Sequence, residues 1–405
     1  MLVMVVLLLD TLGIGVILPV LPRLVAGFVH GDLAAGSRWY GLLSSTYSVM
    51  QFGFAPMLGA LSDRFGRRPV ILGSLAGAAM NYLLTAFAPT IGFLFIGRVL
   101  AGVSGASFSA ATAYIADVTP PEKRAQNFGL VGAAFGLGFI VGPALGGLLG
   151  AIDLRAPFLF AAVLNGANFA YGLFVLPESL SRDLRCPVTF ANANPIGALA
   201  GLRRHPILLG LSGTILCGYL AQSILQSVWA LHTQARFGWT TLGVGLSLTA
   251  VGVVSATVQG ALVRPVVGRL GERQTIIVGL CFSVVGFVGF AAASHAWMMY
   301  AILVPFALGG LAGPATQAIL TREVGASEQG QLQGTLVSVM SATSIVGPLL
   351  ATRLFARFSP ATAVPYVPGA AFLAAAALNL LGLALALRLF ARMRRATSDN
   401  HSAGR

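Results

Sequence analysis

The chain has 405 residues, of which 56% are hydrophobic and only 9% charged; its mean hydropathy is +0.84 and its formal net charge +13. Soluble domains carry roughly 25% charged residues, so a water-soluble globular fold is excluded and a polytopic, all-α membrane protein is expected. The positive charge does not make a nucleic-acid surface, because the basic residues sit in short connections between apolar runs.

Apolar runs of about 20 residues are long enough to cross the bilayer as helices. Twelve are expected, over about 2–26, 40–61, 70–88, 91–116, 127–150, 156–177, 206–231, 241–263, 275–293, 296–320, 330–352 and 365–388. The first is not a cleavable signal peptide, since it lacks a basic lead, is too long and is interrupted by Asp10. It starts almost at Met1, so a truncated or misassigned start is expected. The longest polar connection, 178–205, divides the spans six and six. Within it Asn194-Pro195 reads as a cap followed by Pro at the first turn of a short surface helix. The expected divisions are therefore a six-helix half over 1–177, a central loop over 178–205, a second half over 206–390 and a tail over 391–405. Cys186, Cys217 and Cys281 form no CxxC pattern, and neither a disulfide scaffold nor a metal site follows.

Eighteen of the 25 Lys and Arg residues fall in connections after even-numbered spans or after the last one. The positive-inside rule then puts both termini in the cytoplasm. The halves also repeat. Ile140-Val141-Gly142-Pro143 recurs as Ile345-Val346-Gly347-Pro348, and the same offset of 205 relates Gly66 to Gly271, Gly105 to Gly310 and Gly129 to Gly334. One offset serving several landmarks points to duplication. Two parallel six-helix repeats are the plan of many secondary transporters, whose substrate site lies between the halves near the bilayer midplane.

Gly59-Ala60-Leu61-Ser62-Asp63-Arg64-Phe65-Gly66-Arg67-Arg68 follows span 2. A basic cytoplasmic turn explains its charge but not its glycines or its acid. The pattern resembles the signature loop of the major facilitator superfamily. Gly97-Arg98-Val99-Leu100-Ala101-Gly102 in span 4 is similar to that superfamily's intramembrane-arginine motif. Gly138, Gly142, Pro143, Gly146 and Gly147 in span 5 resemble its antiporter motif, and Tyr114-Ile115-Ala116-Asp117 ends span 4 with the acid that partners the signature loop in relatives. Asp10-Thr11-Leu12-Gly13-Ile14-Gly15, Met50-Gln51, Arg236-Phe237-Gly238-Trp239 and Gly330-Gln331-Leu332-Gln333-Gly334 narrow the resemblance to the tetracycline–proton antiporter branch. The chain departs from that branch at three places: Asn81 and Ser283 stand where relatives carry acids, and Ser255 where they carry a His.

An acid at the centre of a span costs roughly 2.5–3.5 kcal/mol and so faces a cavity or a partner. Asp10, with Arg98 as its counter-ion, is the expected proton-coupling pair; a fixed structural pair is the alternative. The resemblance implies a cytoplasmic gate of Gly59, Asp63, Gly66, Arg67, Arg68 and Asp117, with Gly268 in the place of Asp63 in the second half, which would make the lock asymmetric. The substrate-cavity candidates are Gln51, Asn81, Gln222, Gln226, Gln259 and Gln317, each of which could instead join helices. Gly102-Val103-Ser104-Gly105 matches a serine-protease sequence, but no His lies in reach of it and no catalytic residue or resident metal is expected. The function expected is efflux of a tetracycline-like or other amphipathic drug in exchange for protons, from a bacterial inner membrane. Export of another metabolite or a siderophore, and a sensor with the same fold, are the alternatives. The expected partners are the substrate, protons and the lipid bilayer, with a monomer sufficient. No cofactor is expected beyond the proton gradient, although a tetracycline-like substrate can arrive as a metal chelate.

Overall fold

A backbone in lipid has no water to bond, so each spanning segment pairs its own amides as a helix. In the computed structural model every described element is a helix. The described residues are 2–105, 107–120, 123–181, 183, 185, 206–323, 329–360 and 362–402. In chain order the helices are α1 (Leu2–Ile17), α2 (Leu21–Gly27), α3 (Leu33–Phe65), α4 (Arg67–Ala86), α5 (Ile91–Gly105), α6 (Ser107–Val118), α7 (Arg124–Ile152) and α8 (Ala156–Val175). There follow α9 (Pro206–Phe237), α10 (Thr241–Ala261), α11 (Val263–Leu270), α12 (Glu272–Ala292), α13 (Ala296–Gly309), α14 (Ala312–Glu323), α15 (Gln329–Phe358) and α16 (Ala370–Ser402). The surface helix expected at Asn194-Pro195 lies outside the described residues.

Among the described residues these helices give ten or eleven apolar spans and one more polar helix long enough to cross. Ten are long and apolar enough to cross a membrane by themselves, with α5 and α6 counted together and α13 and α14 together. The bent pair α1 and α2 makes an eleventh, turning by 43°. The twelfth is α3, whose 33 residues reach about 50 Å. It is less apolar than the others because its sequence, LAAGSRWYGLLSSTYSVMQFGFAPMLGALSDRF, carries Ser, Thr, Tyr and Gln through its middle. A span that is polar along its length has polar work inside the bundle, and α3 supplies much of the site described below.

The breaks have local causes. Pro19 cannot continue α1, and Pro22 lies in the first turn of α2. The carbonyl of Pro19, left open by the break, accepts from Gln234 Nε2 of α9 at 3.4 Å. Both fourth spans are interrupted at repeat-related glycines: α5 ends at Gly105, and α13 ends at Gly309 with Gly310 as its cap.

The chain packs as two units, Met1–Pro195 with Trp229–Gly252, and Ile196–Val228 with Val253–Arg405. In the first, a core cluster holds Val6, Ile71, Leu75, Ala110, Tyr114, Ile115 and Val131. In the second, a cluster holds Leu211, Ile276, Leu280, Ala315, Ile319, Leu320 and Leu336. Each residue of the second set stands 205 positions after its counterpart in the first. The duplication read from glycines therefore extends to the positions that carry the packing.

Candidate functional site

The loop between spans 2 and 3 builds the first constellation. Gly66 caps α3 and opens α4 with φ 107°, a conformation that a side chain strains to adopt. A Cβ there would also strike the Glu178 carboxylate. The turn delivers Arg67 into a buried position, 9% exposed, where its guanidinium spans two acids. Nη1 meets Asp63 Oδ1 at 2.5 Å and donates to Ser62 Oγ at 2.7 Å, while Nε donates to Asp117 Oδ2 at 3.1 Å. Asp63, Arg67 and Asp117, expected to meet, are in contact. Glu178 and Ser179, just beyond span 6, complete the set. Glu178 Oε1 accepts from the amide of Arg67 at 2.8 Å and its Oε2 from that of Arg68 at 3.3 Å, which caps the open start of α4. Ser179 Oγ donates to Asp117 Oδ2 at 3.0 Å. Sequence reading missed both residues, although an acid directly after the expected span end at 177 was visible.

The second half repeats the device with its charges exchanged. Gly271, φ 75°, caps α11 and opens α12. Glu272 follows it and takes both nitrogens of Arg322, Nη1 to Oε2 at 3.0 Å and Nη2 to Oε1 at 2.9 Å. At the offset of 205, Glu272 stands for Arg67 and Arg322 for Asp117. The asymmetry inferred from Gly268 thus takes the form of a reversed, two-membered pair.

The second constellation lies within the spans of the first unit. Asp10 on α1 is half-buried, and Arg98 on α5 is buried at 6% exposure. Among the described residues no ion pair joins them. Instead Tyr47 of α3 and Tyr82 of α4 lie within electrostatic reach of both, and Tyr40 lies within reach of Arg98. Arg98 Nη2 is withdrawn from water with no hydrogen-bond partner in the protein. Gln51 Nε2 donates to the carbonyl of Gly105 at 3.3 Å, where α5 breaks. Gly97 lets Asn81 Oδ1 approach to 3.0 Å of the position a Cβ would take, and Gly102 lets α5 settle on the Met50–Gln51 turn of α3. The motif around Arg98 therefore uses its glycines to seat the guanidinium among helices α3, α4 and α5.

Asn81, a cavity candidate, is 2% exposed within the α4–α5 seam, and its carbonyl accepts from Thr85 Oγ1 at 2.9 Å. Gln222 and Gln226 are exposed along one stripe of α9, Gln259 is exposed on α10 and Gln317 is half-buried on α14. Two residues that sequence reading missed, Asn165 and Asn168 of α8, are fully buried against α1. Asn168 Nδ2 donates to the carbonyl of Val6 at 3.0 Å, and Asn165 Nδ2 crowds Gly13. Both Oδ1 atoms lack a partner within the protein. Their i,i+3 spacing in an apolar span was the available signal.

The span 5 motif has two working faces. Gly138, Gly142 and Gly146, spaced by four, lie against Thr11, Gly15 and Val16 of α1, so closely that a Cβ on Gly146 would collide with the carbonyl of Val16. Gly147 faces the other way, 3.2 Å from the Cα of Gly245 on α10 measured from its would-be Cβ, and a Cβ on Gly245 would strike the carbonyl of Pro143. Thr249 Oγ1 donates to the carbonyl of Ile140 at 2.7 Å across the same contact. Small residues bring three backbones together in this way in lipid.

The sequence model of the Major Facilitator Superfamily matches residues 3–304 and 211–405. The tetracycline resistance protein of class C from Escherichia coli is 44% identical over 348 residues, 86% of this chain and 87% of that protein. The class B protein of Escherichia coli is 37% identical over 359 residues, 88% of each chain. Among solved structures, the human organic anion transporter MFSD10 is 26% identical with a TM-score of 0.69, covering 95% of this chain and 98% of its own. The nucleoside transporter NupG shares the fold at a TM-score of 0.75 with 12% identity, covering 96% and 98%. The chain belongs to the major facilitator superfamily and, within it, to the family of the tetracycline resistance proteins.

Proposed function

We propose that this chain is a secondary active drug exporter that moves a tetracycline-like amphipathic molecule out of the cell in exchange for protons. Its relatives are tetracycline resistance proteins along nearly its whole length. The observation that carries the mechanism is the intramembrane cluster: a half-buried Asp10, two tyrosines within electrostatic reach of it, and a buried Arg98 with one donor left open. A carboxylate at this depth is costly unless it exchanges a proton or meets a charge. Asp10 takes up and releases the transported proton, and Tyr47 and Tyr82 relay the electrostatic consequence to Arg98. Arg98 presents its free donor to the drug's oxygens. The Asp63–Arg67–Asp117 triad holds one end of the first unit closed and opens during the cycle.

The chain works as a monomer in a bacterial inner membrane, with both termini cytoplasmic, no nucleic acid partner and no cofactor beyond the proton gradient. A tetracycline-like substrate arrives as a metal chelate. Expression in an efflux-deficient bacterium, tested against a panel that includes tetracyclines, is expected to raise the inhibitory concentration and lower accumulation of at least one compound. No change for any compound would reject the reading.

A further inference from the structure

A cavity of about 610 Å³ opens beside the gate, lined by Phe65, Arg68, Leu72, Leu173, Glu178 and Arg185 among others. The Nε atoms of Arg68 and Arg185 are both withdrawn from water with no acceptor in the protein. Those two atoms lie behind the cavity wall, but both guanidiniums line the cavity and neither has an ion-pair partner among the described residues, so the wall carries two cations open to an anion from outside. Glu178 supplies little, because its oxygens already accept the amides of Arg67, Arg68, Ser179 and Leu180. Arg68 Nη2 donates to the carbonyl of Leu173 at 2.6 Å, which fixes that guanidinium against the end of span 6. Arg185 Nη2 lies 3.0 Å from the position a Cβ of Gly66 would take, so the second guanidinium sits over the turn that precedes Arg68.

The walls are apolar and their outer edge is open. Phe65 is 52% exposed, Leu173 41% and the neighbouring Phe174 84%. Exposed Phe and Leu at a span end face acyl chains in a membrane protein. We infer that this cavity binds the phosphodiester headgroup of an anionic phospholipid, with Arg68 and Arg185 on the phosphate and the acyl chains along Leu173 and Phe174. Guanidinium forks match phosphate oxygens, and a basic pocket between spans is the setting in which lipid headgroups are held. Because Glu178 and Ser179 belong both to the cavity wall and to the bonds on α4 and Asp117, the bound lipid would brace the gate.

The test needs no transport, so it stands or falls separately from the efflux reading. The full chain is reconstituted in nanodiscs of phosphatidylcholine with phosphatidylglycerol, and the lipid retained on delipidation is measured by mass spectrometry. Wild type should retain phosphatidylglycerol over phosphatidylcholine. Arg68→Gln and Arg185→Gln should each lower that retention about fivefold, the worth of one basic residue at a lipid surface. Arg155→Gln, at the opposite end of the spans, should not. Arg185 lies in a loop, so Arg185→Gln keeps the test valid if Arg68→Gln disturbs folding. Equal retention by wild type and Arg185→Gln would overturn the proposal, as would equal retention of the two lipids. Displacement of the lipid by millimolar inorganic phosphate would assign the arginines to a free anion and overturn it as well.

Discussion

Asp10 and Arg98 are the two charges deep within the spans, and their surroundings differ. Asp10 is partly accessible, whereas Arg98 is buried and keeps an open donor. Asn has nearly the shape of Asp, so Asp10→Asn should reach the membrane at normal levels. It should lose drug-driven proton movement in everted vesicles, read with a pH-sensitive dye. Full coupled transport by this variant would remove Asp10 from the mechanism. The two salt-bridged loops allow a sharper comparison. Arg67 is buried between two acids, whereas Arg322 is 73% exposed at its side chain beside Glu272. Arg67→Ala leaves Asp117 without its cation and should cost about 2–3 kcal/mol, below the value for a fully buried pair because Asp63 is half exposed. Arg322→Ala should cost less than about 1 kcal/mol. Thermal melting of the purified variants decides this, and equal losses would contradict the assignment.

At the scale of elements, α7 packs at backbone distance on two neighbours. Its glycines spaced by four meet α1, while Gly147 and Pro143 meet α10, so one helix carries two backbone contacts. Not every glycine in it is under the same constraint. A Cβ on Gly146 would collide with the carbonyl of Val16, but one on Gly132 would meet nothing within 4 Å. Gly146→Ala should therefore cost about 1–3 kcal/mol through overpacking, whereas Gly132→Ala should be neutral or stabilising. Fluorescence-detected melting of the two variants should rank them in that order. Loss of stability in both would show that α7 is intolerant for a reason other than close approach.

At the scale of the molecule, the duplication has kept its scaffold and lost its symmetry of charge. Seven core positions recur at the offset of 205, as do the capping glycines and the ion pair beside them. The polar cluster does not recur: Asp10 maps to Ile215, Tyr47 to Gly252, Gln51 to Ala256, Asn81 to Gly286 and Arg98 to Leu303. Proton chemistry should therefore depend on the first half alone. Ile215→Leu and Leu303→Met should keep drug-driven proton movement that Asp10→Asn and Arg98→Ala lose, and its loss in both conservative variants would refute that division. Much of this was legible in the amino-acid order by itself. Span number and the repeat follow from length, polarity and turn residues, because the bilayer constrains how long and how apolar each segment must be, whereas the contact of Asp63, Arg67 and Asp117 was implied by the resemblance of the loop motif. Only the tertiary structure decided that no ion pair joins Asp10 to Arg98 among the described residues, that Asn165 and Asn168 back α1, that Asn81 lies in a helix seam and that Glu272 answers Arg322. The reason is rotational. A helix turns by about 100° per residue, and one that is apolar on nearly every side carries no stripe to say which face meets which neighbour. Side-chain partners within such spans are set by packing, which the order of residues along one helix does not encode.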